Sequence, residues 1–279
     1  MKLSNVLSVF ILFAAVVFSP FEAHAAELYA ILVGDTTDIA LGTAMEQNLI
    51  AMQQHVTKIA SSTGRHLTLT IIKGHEAQTG NVLKEVQNLK ISSDDVVILY
   101  FSCHGYRPYD KLDPWPDLLF TLEGAGIEMN YLNHIIMEQN PRFLLSIADS
   151  CNSYVNGHIP TLRQRTAKTL TPQKVPRIDP KVERRVYQQL FNESSGVILM
   201  SGSHPGQVSW GIEGAGSFLT MSFLTALEEV ISARNANVRW EDLLTITDRR
   251  VNELVTYFRS RESKPMEQTP QFQIMLRAE

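Results

Sequence analysis

VVILYFSCHG, residues 96–105, is an apolar run that ends abruptly in polar residues and a glycine. A continuous run of this length is typical of a strand that is buried on both faces of its sheet. Five further strand-like runs occur: LYAILV at 28–33, LTLTII at 67–72, FLLSIAD at 143–149, GVILMSGS at 196–203 and QFQIML at 271–276. Helical patterns accompany them at residues 41–61, 81–89, 131–139, 217–233 and 240–258. Strands separated by helices predict right-handed crossovers, so we expect an α/β protein with a mostly parallel six-stranded sheet and helices on both faces.

The composition is that of a globular protein with a substantial core. Of the 279 residues, 44% are hydrophobic and 19% are charged, and the formal net charge is -4. Such a chain has no global basic field, so neither nucleic acid nor an anionic membrane surface is an expected partner. The two cysteines are too few for the disulfide framework of a small secreted scaffold.

The first 25 residues are predicted to be a secretory signal peptide. Lys2 gives a positive start, an apolar run follows over about residues 6–18, and AHA at residues 23–25 is a small-x-small cleavage motif. A membrane-spanning helix needs about 20 apolar residues, and this run is shorter and is ended by Pro20. We therefore expect an exported protein, periplasmic or secreted, whose mature chain is not held in a membrane.

The residues that follow the predicted strands are the candidates for chemistry. In a parallel sheet the working residues collect outside the carboxyl ends of the strands, and His104 and Cys151 each follow a strand at that rim. An imidazole beside a thiol can take the thiol proton and later protonate a leaving amine. Their separation, 151 − 104 = 47 residues, is a strand–helix–strand step. We therefore predict that the two side chains are neighbours and form a nucleophile and acid/base pair.

Several segments resemble the caspase-like cysteine peptidases, in particular metacaspases and their bacterial relatives. YFSCHGYR at 100–107 is similar to the family's Y-S-G-H-G segment, and ADSCNS at 148–153 is similar to its D-S-C-H-S-G segment. MSGSHPGQVSWG at 200–211 and GAGSFLT at 214–220 match further segments, and the His-to-Cys spacing fits the roughly 50 residues of the caspase pattern. The resemblance covers about residues 26–276 and implies a three-layer caspase-like fold. Departures from the family pattern are Cys103, Asn152 and Tyr154.

The resemblance implies a cysteine endopeptidase that forms a thioester acyl-enzyme. His104 and Cys151 match the catalytic pair, and the backbone N–H groups of Gly105 and Cys151 match the donors to the oxyanion. Asp149 matches the acidic residue of the pocket that receives the residue before the cut. A carboxylate there implies cleavage after Arg or Lys, because it would pair with their side chains through charge-assisted hydrogen bonds.

Four more residues are candidate pocket residues for substrate. Asp35 shares the rim with Cys151, and it is interpreted either as a pocket residue or as a turn cap. The other three match the pocket wall of the family and are otherwise ordinary loop residues: Ser201, Ser203 and Trp210.

The resemblance also divides the mature chain. Residues 26–279 form the predicted catalytic domain, with a large part at 26–159, a basic linker loop at 160–185 and a small part at 186–279. The linker holds four prolines and eight Lys or Arg residues. It is interpreted either as a solvated insertion or as a segment that the enzyme cuts itself. The candidate self-cleavage residues are Arg163, Arg165, Lys168, Arg177, Arg184 and Arg185.

The sequence patterns for a metal site, a calcium site or a nucleotide site are weaker than the pattern for a cysteine peptidase. Cys103, His104, Cys151, His134 and His158 have no zinc-ligand spacing, so no metal site is expected. Calcium activation, known among metacaspases, stays open because Asp110, Asp113 and Asp117 are scattered. The glycine fingerprints of nucleotide-binding loops are absent.

Two questions remain open from the sequence. A disulfide between Cys103 and Cys151 is an alternative to a small buried thiol at Cys103. An inactive caspase-fold module that binds partners without cutting them is the alternative to a peptidase. We expect protein or peptide substrates and a monomeric state. No cofactor is expected.

Overall fold

A computed structural model of the chain describes residues 26–123, 126–155, 179–233, 237–261 and 265–277, together with the backbone of residues 165–167. The predicted signal peptide, residues 1–25, lies outside the described residues. Within the described ranges, no helix combines the length and apolar character needed to cross a membrane.

The core of the fold is a six-stranded sheet. Its strands are β1 (Glu27–Gly34), β2 (His66–Lys73), β3 (Val96–Ser102), β7 (Phe143–Asp149), β10 (Gly196–Ser201) and β13 (Gln271–Leu276). Their order is β13-β10-β7-β3-β1-β2. All neighbours pair in parallel except β13, which runs antiparallel to β10 at one edge. The predicted mostly parallel six-stranded sheet is confirmed.

Helices cover both faces of this sheet, as predicted. They are α1 (Gly42–Thr63), α2 (Thr79–Asn88), α3 (Met129–Glu138), α4 (Pro180–Gln188), α5 (Phe218–Ser232) and α6 (Trp240–Arg259). Alternate residues of a strand point to opposite faces, so Ile98 packs with α1, α5 and α6 in one core cluster. Leu99 packs with α2 and α3 in a second cluster. The two clusters make the three-layer arrangement.

Two small sheets lie beyond the carboxyl ends of the main strands. One has the order β6-β5-β4-β8 and contains β4 (His104–Pro108), β5 (Asp117–Leu119), β6 (Ile127–Glu128) and β8 (Ser153–Val155). The other has the order β12-β11-β9 and contains β9 (Arg165–Ala167), β11 (Trp210–Ile212) and β12 (Gly216–Ser217). These strands are too short to leave a clear sequence pattern, and the sequence analysis did not predict them. They fix the segments that follow the rim residues.

The carboxyl-terminal end of the predicted linker differs from the prediction. Helix α4 begins at Pro180, inside the basic linker predicted over residues 160–185. Asp179 caps this helix by accepting a hydrogen bond from the Lys181 N–H at 3.0 Å, and proline is favoured at the first helical position. Val186 and Tyr187 then bury the helix against the first core cluster. The end of the predicted linker is therefore part of the folded domain.

Candidate active site

The carboxyl ends of β3 and β7 bring the two predicted catalytic residues onto adjacent strands. Ser102 and Asp149 are register partners at these ends, and His104 and Cys151 each follow two residues later. Gly105 packs directly on the cysteine segment, because a β-carbon at this position would lie 2.3 Å from the Cys151 carbonyl oxygen. Real β-carbons essentially never approach closer than 3.0 Å, so only glycine permits this contact between the two loops.

The Cys151 sulfur lies in a buried polar setting. Its residue is 5% exposed, and the sulfur accepts a hydrogen bond from the backbone N–H of Ser209 at 3.3 Å. A backbone donor of this kind stabilises negative charge on the sulfur. The Cys151 thiol also donates a weak hydrogen bond to the Ser209 carbonyl oxygen, and the sulfur-to-oxygen distance is 3.8 Å.

Cys103 lies in a different environment from Cys151. It packs in the second core cluster, and burial raises the pKa of its thiol well above the usual value. The two cysteines are not joined in a disulfide. Cys103 is therefore part of the second core cluster, whereas the Cys151 thiol contacts the backbone of Ser209 at the rim.

His104 is held by a carboxylate that the sequence analysis did not select. Its Nε2 lies 3.0 Å from Oδ2 of Asp38, in the loop between β1 and α1. The other ring nitrogen, Nδ1, is buried and has no hydrogen-bond partner among the described residues. The hydrogen bond from His104 holds the pKa of the Asp38 carboxyl below its usual value, which is opposed by partial burial.

A narrow pocket lies next to Cys151, whose hydrogen-bond partner Ser209 is one of its lining residues, and Asp149 also contributes to its wall. Its cavity volume is about 10 Å³. Asp149 is 4% exposed, and none of the ion pairs among the described residues involves it. Burial without a cation raises the pKa of this carboxyl, even though several hydrogen bonds act in the opposite direction. The pocket is lined by Leu41, Ala44, Met45, Asn48, Ser102, Asp149, Ser209, Trp210, Gly211 and Ser217.

Hydroxyl and backbone donors fix the Asp149 carboxylate. Its Oδ2 accepts from the Thr220 N–H at 2.9 Å and from the hydroxyls of Thr220 and Ser217. Its Oδ1 accepts from the Ser209 hydroxyl at 3.3 Å. Asn48 donates to the Ser217 hydroxyl at 2.6 Å and accepts from the Ser217 N–H at 3.0 Å. Helix α1, β12 and the start of α5 therefore hold the carboxylate in one position.

A caspase-domain family model, Peptidase_C14, matches residues 46–279, a stretch that contains both His104 and Cys151. The chain belongs to the caspase-domain family of cysteine peptidases. No curated protein sequence matches it. In this caspase domain, the fold and the order of the rim segments agree with the resemblance that the sequence motifs indicated.

The predicted pocket residues of the caspase domain fall into two groups. Asp149 and Trp210 line the pocket. Asp35 is not among the lining residues; its oxygens accept from the Thr37 hydroxyl at 2.9 Å and from the N–H and hydroxyl of Thr121, both at 2.6 Å. In this arrangement Asp35 fastens the loop after β5 to the end of β1.

Ser201 and Ser203 are buried and do not line the pocket. The Ser201 hydroxyl donates to the Ser203 carbonyl at 3.2 Å, and the Ser203 hydroxyl donates to the Ser150 carbonyl at 3.3 Å. These bonds brace the segment that carries Cys151. The structure places the Gly105 and Cys151 backbones in contact, and their role as oxyanion donors stays a prediction.

The candidate self-cleavage residues are in three kinds of place. Arg163, Lys168 and Arg177 lie outside the described residues. Arg165 is the first residue of β9, whose backbone pairs in parallel with β11 in the register Arg165↔Trp210. Arg184 and Arg185 lie within α4, so their peptide bonds are helical.

The described histidines and acids outside the pocket do not form a metal site. His134 Nε2 lies 3.2 Å from Glu138 on the exposed face of α3, and His158 lies outside the described residues. The loop acids gather around a lysine: Lys111 Nζ contacts Asp117 and lies 3.5 Å from Glu128 and 3.9 Å from Asp113. In the described ranges, no group of three or more His, Cys, Asp or Glu side chains could hold a metal ion.

Proposed function

We propose that this caspase domain is an endopeptidase that cuts after Arg or Lys, with Cys151 as nucleophile and His104 as acid and base. The observation that carries the specificity is the buried Asp149 carboxylate, which lines the pocket beside the nucleophile and has no cationic partner among the described residues. A buried carboxylate without a counter-ion is costly, and an Arg or Lys side chain entering the pocket would supply one. A substrate with Asp at this position would add a second negative charge.

The reaction follows from the two side chains. His104 takes the proton from the Cys151 thiol, and the sulfur electron pair forms a bond to the scissile carbonyl carbon, whose oxygen becomes an oxyanion. Collapse of this intermediate restores the carbonyl and breaks the C–N bond, and His104 gives its proton to the leaving amine. Water then gives its proton to His104 while its oxygen attacks the thioester, and the sulfur leaves as thiolate and regains the proton.

The proposal is tested with fluorogenic peptides that end in Arg, Lys or Asp, using the wild type and Cys151→Ala. We expect kcat/KM for the Arg and Lys peptides to exceed that for the Asp peptide at least about 30-fold, because the pairing of a buried charge is worth about 2–5 kcal/mol. Cleavage of none of the peptides would favour a binding module, equal cleavage by Cys151→Ala would remove the nucleophile assignment, and a preference for Asp would contradict the role of Asp149.

We also propose that the enzyme needs no calcium. A cation already occupies the place among these acids, because the Lys111 ammonium contacts Asp117 and lies near Asp113 and Glu128, which supports this view. The same peptide assay tests this proposal. The value of kcat/KM should be equal in EDTA and in millimolar calcium. A loss of activity in EDTA that calcium restores would contradict it.

We propose that the linker is a substrate of its own domain, with the cut after Arg165. Peptidases bind substrates in extended form, and β9 is extended and lies beside β11, whose Trp210 lines the pocket. The helical bonds at Arg184 and Arg185 lack this geometry. Terminal sequencing of the purified wild type is expected to find a new amino terminus at Thr166 that is missing from Cys151→Ala. An intact wild-type chain, or the same terminus in both proteins, would contradict the proposal.

Export, with removal of residues 1–25, and a monomeric state both stay predictions. If the chain is exported, it acts on protein or peptide substrates outside the cytoplasm. The motif at residues 23–25 supports the cleavage site.

A further inference from the structure

Asp38 makes two different kinds of hydrogen bond with its two carboxylate oxygens. Oδ1 accepts from the backbone N–H groups of Ala40 at 2.9 Å and Leu41 at 2.7 Å, just before α1 begins. Oδ2 lies 3.0 Å from Nε2 of His104. A turn cap needs only the first set, so the second oxygen is available for the histidine alone.

The pair is shielded from water. The side chain of His104 is 5% exposed and that of Asp38 is 15% exposed. A hydrogen bond between a carboxylate and an imidazole in such a place is stronger than at the surface, because the local dielectric is low. The carboxylate is an acceptor only, so the Nε2 atom must carry a proton and donate it.

We infer that Asp38 is a positioning residue that fixes the tautomer of His104 and makes Nδ1 the nitrogen that exchanges protons with Cys151. The inference rests on the proposed function and adds a third member to the catalytic pair. With Nε2–H bonded to Asp38, the lone pair of the neutral ring is on Nδ1, the buried nitrogen that has no partner among the described residues. When Nδ1 takes the thiol proton, the Asp38 carboxylate stabilises the imidazolium and itself remains ionised.

Asp38→Asn isolates this role from the turn cap. The amide oxygen can still accept from the Ala40 and Leu41 N–H groups, while the amide NH₂ replaces the oxygen that faces His104. An NH₂ group donates, so Nε2 must accept and the ring proton moves to Nδ1. The ring then cannot take the thiol proton. We expect kcat on an Arg peptide to fall about 10³- to 10⁴-fold with KM changed less than about threefold, as loss of the correct tautomer does in other nucleophilic enzymes.

The matched control is Glu27→Gln. Glu27 pairs with His66 Nδ1 at 3.0 Å at the opposite end of β1, so it is a carboxylate–histidine pair remote from the pocket. We expect its kcat to stay within about twofold of the wild type. Thermal unfolding of both variants shows whether each is folded, and Asp38→Asn retaining kcat within tenfold would overturn the inference.

A spectroscopic readout needs no substrate and no change at Asp38. In Cys151→Ala, at a pH where the ring is neutral, the ¹⁵N chemical shifts of His104 report which nitrogen carries the proton, and a His104→Gln spectrum assigns the signals. We expect protonated Nε2 and unprotonated Nδ1, with the reverse in Cys151→Ala that also carries Asp38→Asn. Protonated Nδ1 with intact Asp38 would overturn the inference. If the wild type cuts no peptide, the proposed function fails while this measurement still decides the role of Asp38.

Discussion

His104→Gln is expected to lower kcat/KM on an Arg peptide by about 10⁵- to 10⁶-fold, the loss seen when the acid/base member of a nucleophilic catalytic unit is removed. Glutamine is close to histidine in length, and its amide NH₂ can still donate to Asp38, so the loop contact is preserved. It has no basic nitrogen, so neither the thiol proton nor the proton of the leaving amine can be transferred. Steady-state hydrolysis measures the loss.

The control for this variant is His134→Gln. His134 is exposed on α3, where it pairs with Glu138, and it has no contact with the pocket. We expect wild-type hydrolysis from it. If His104→Gln kept more than about 1% of the wild-type kcat/KM while its unfolding temperature was unchanged, His104 could not be the acid/base residue.

Asp149→Asn is expected to lower kcat/KM for Arg peptides about 30- to 3000-fold, because removing one partner of a buried charge pair costs about 2–5 kcal/mol. The amide can keep the network: its oxygen can accept from Thr220 and Ser217, and its NH₂ can donate to the Ser209 hydroxyl. The change therefore removes the charge and retains the shape. The measurement is the ratio of kcat/KM for an Arg peptide to kcat/KM for a citrulline peptide. This ratio should be smaller in the variant than in the wild type.

The same substitution is expected to stabilise the protein without substrate at pH 7. Burial raises the pKa of the Asp149 carboxyl above its usual value of 3.8, so the folded state binds its proton more tightly than the unfolded state. The ionised carboxylate therefore lowers the free energy of unfolding above the folded pKa, and this effect disappears as the pH falls below 3.8. Thermal unfolding should show a higher Tm for Asp149→Asn at pH 7 and a smaller difference in acid.

The control for both effects is Asp94→Asn, a carboxylate whose side chain is 67% exposed. Asp94→Asn should keep the wild-type preference for Arg over citrulline. Its Tm should differ from that of the wild type by an amount that does not change between pH 7 and acid. A lower Tm for Asp149→Asn at pH 7, or an unchanged preference for Arg over citrulline, would contradict the interpretation of Asp149 as an uncompensated charge in the pocket.

The sequence predicted the sheet and the placement of His104 and Cys151 after adjacent strands, because both depend on strong, local patterns. Buried parallel strands are continuous apolar runs, and their carboxyl ends meet at one rim, which places His104 near Cys151 before any coordinates are known. The motifs around these two residues then indicated the family. Asp149 was selected by resemblance; it lines the pocket, and its role in specificity stays a prediction.

The residues that the sequence analysis missed have ordinary local patterns. Asp38 lies before a helix, where aspartate is common as a cap, and only the tertiary fold brings its second oxygen to His104. Ser217 and Thr220 lie at the start of α5 and reach Asp149 across 68 and 71 residues of chain. Asn48 is the residue that a sequence pattern could have indicated. It is polar and lies on the otherwise apolar, buried face of α1, where a polar side chain needs hydrogen-bond partners.

The central claim is that Cys151 is a nucleophile in a site that selects basic residues. Its most direct test is intact-mass and peptide-mapping mass spectrometry after exposure to chloromethyl ketone peptides that end in Arg or in Asp. The account predicts one adduct per chain from the Arg reagent, on Cys151 and not on the buried Cys103, and little adduct from the Asp reagent. Labelling of Cys103, equal labelling by both reagents, or no adduct at all would contradict it.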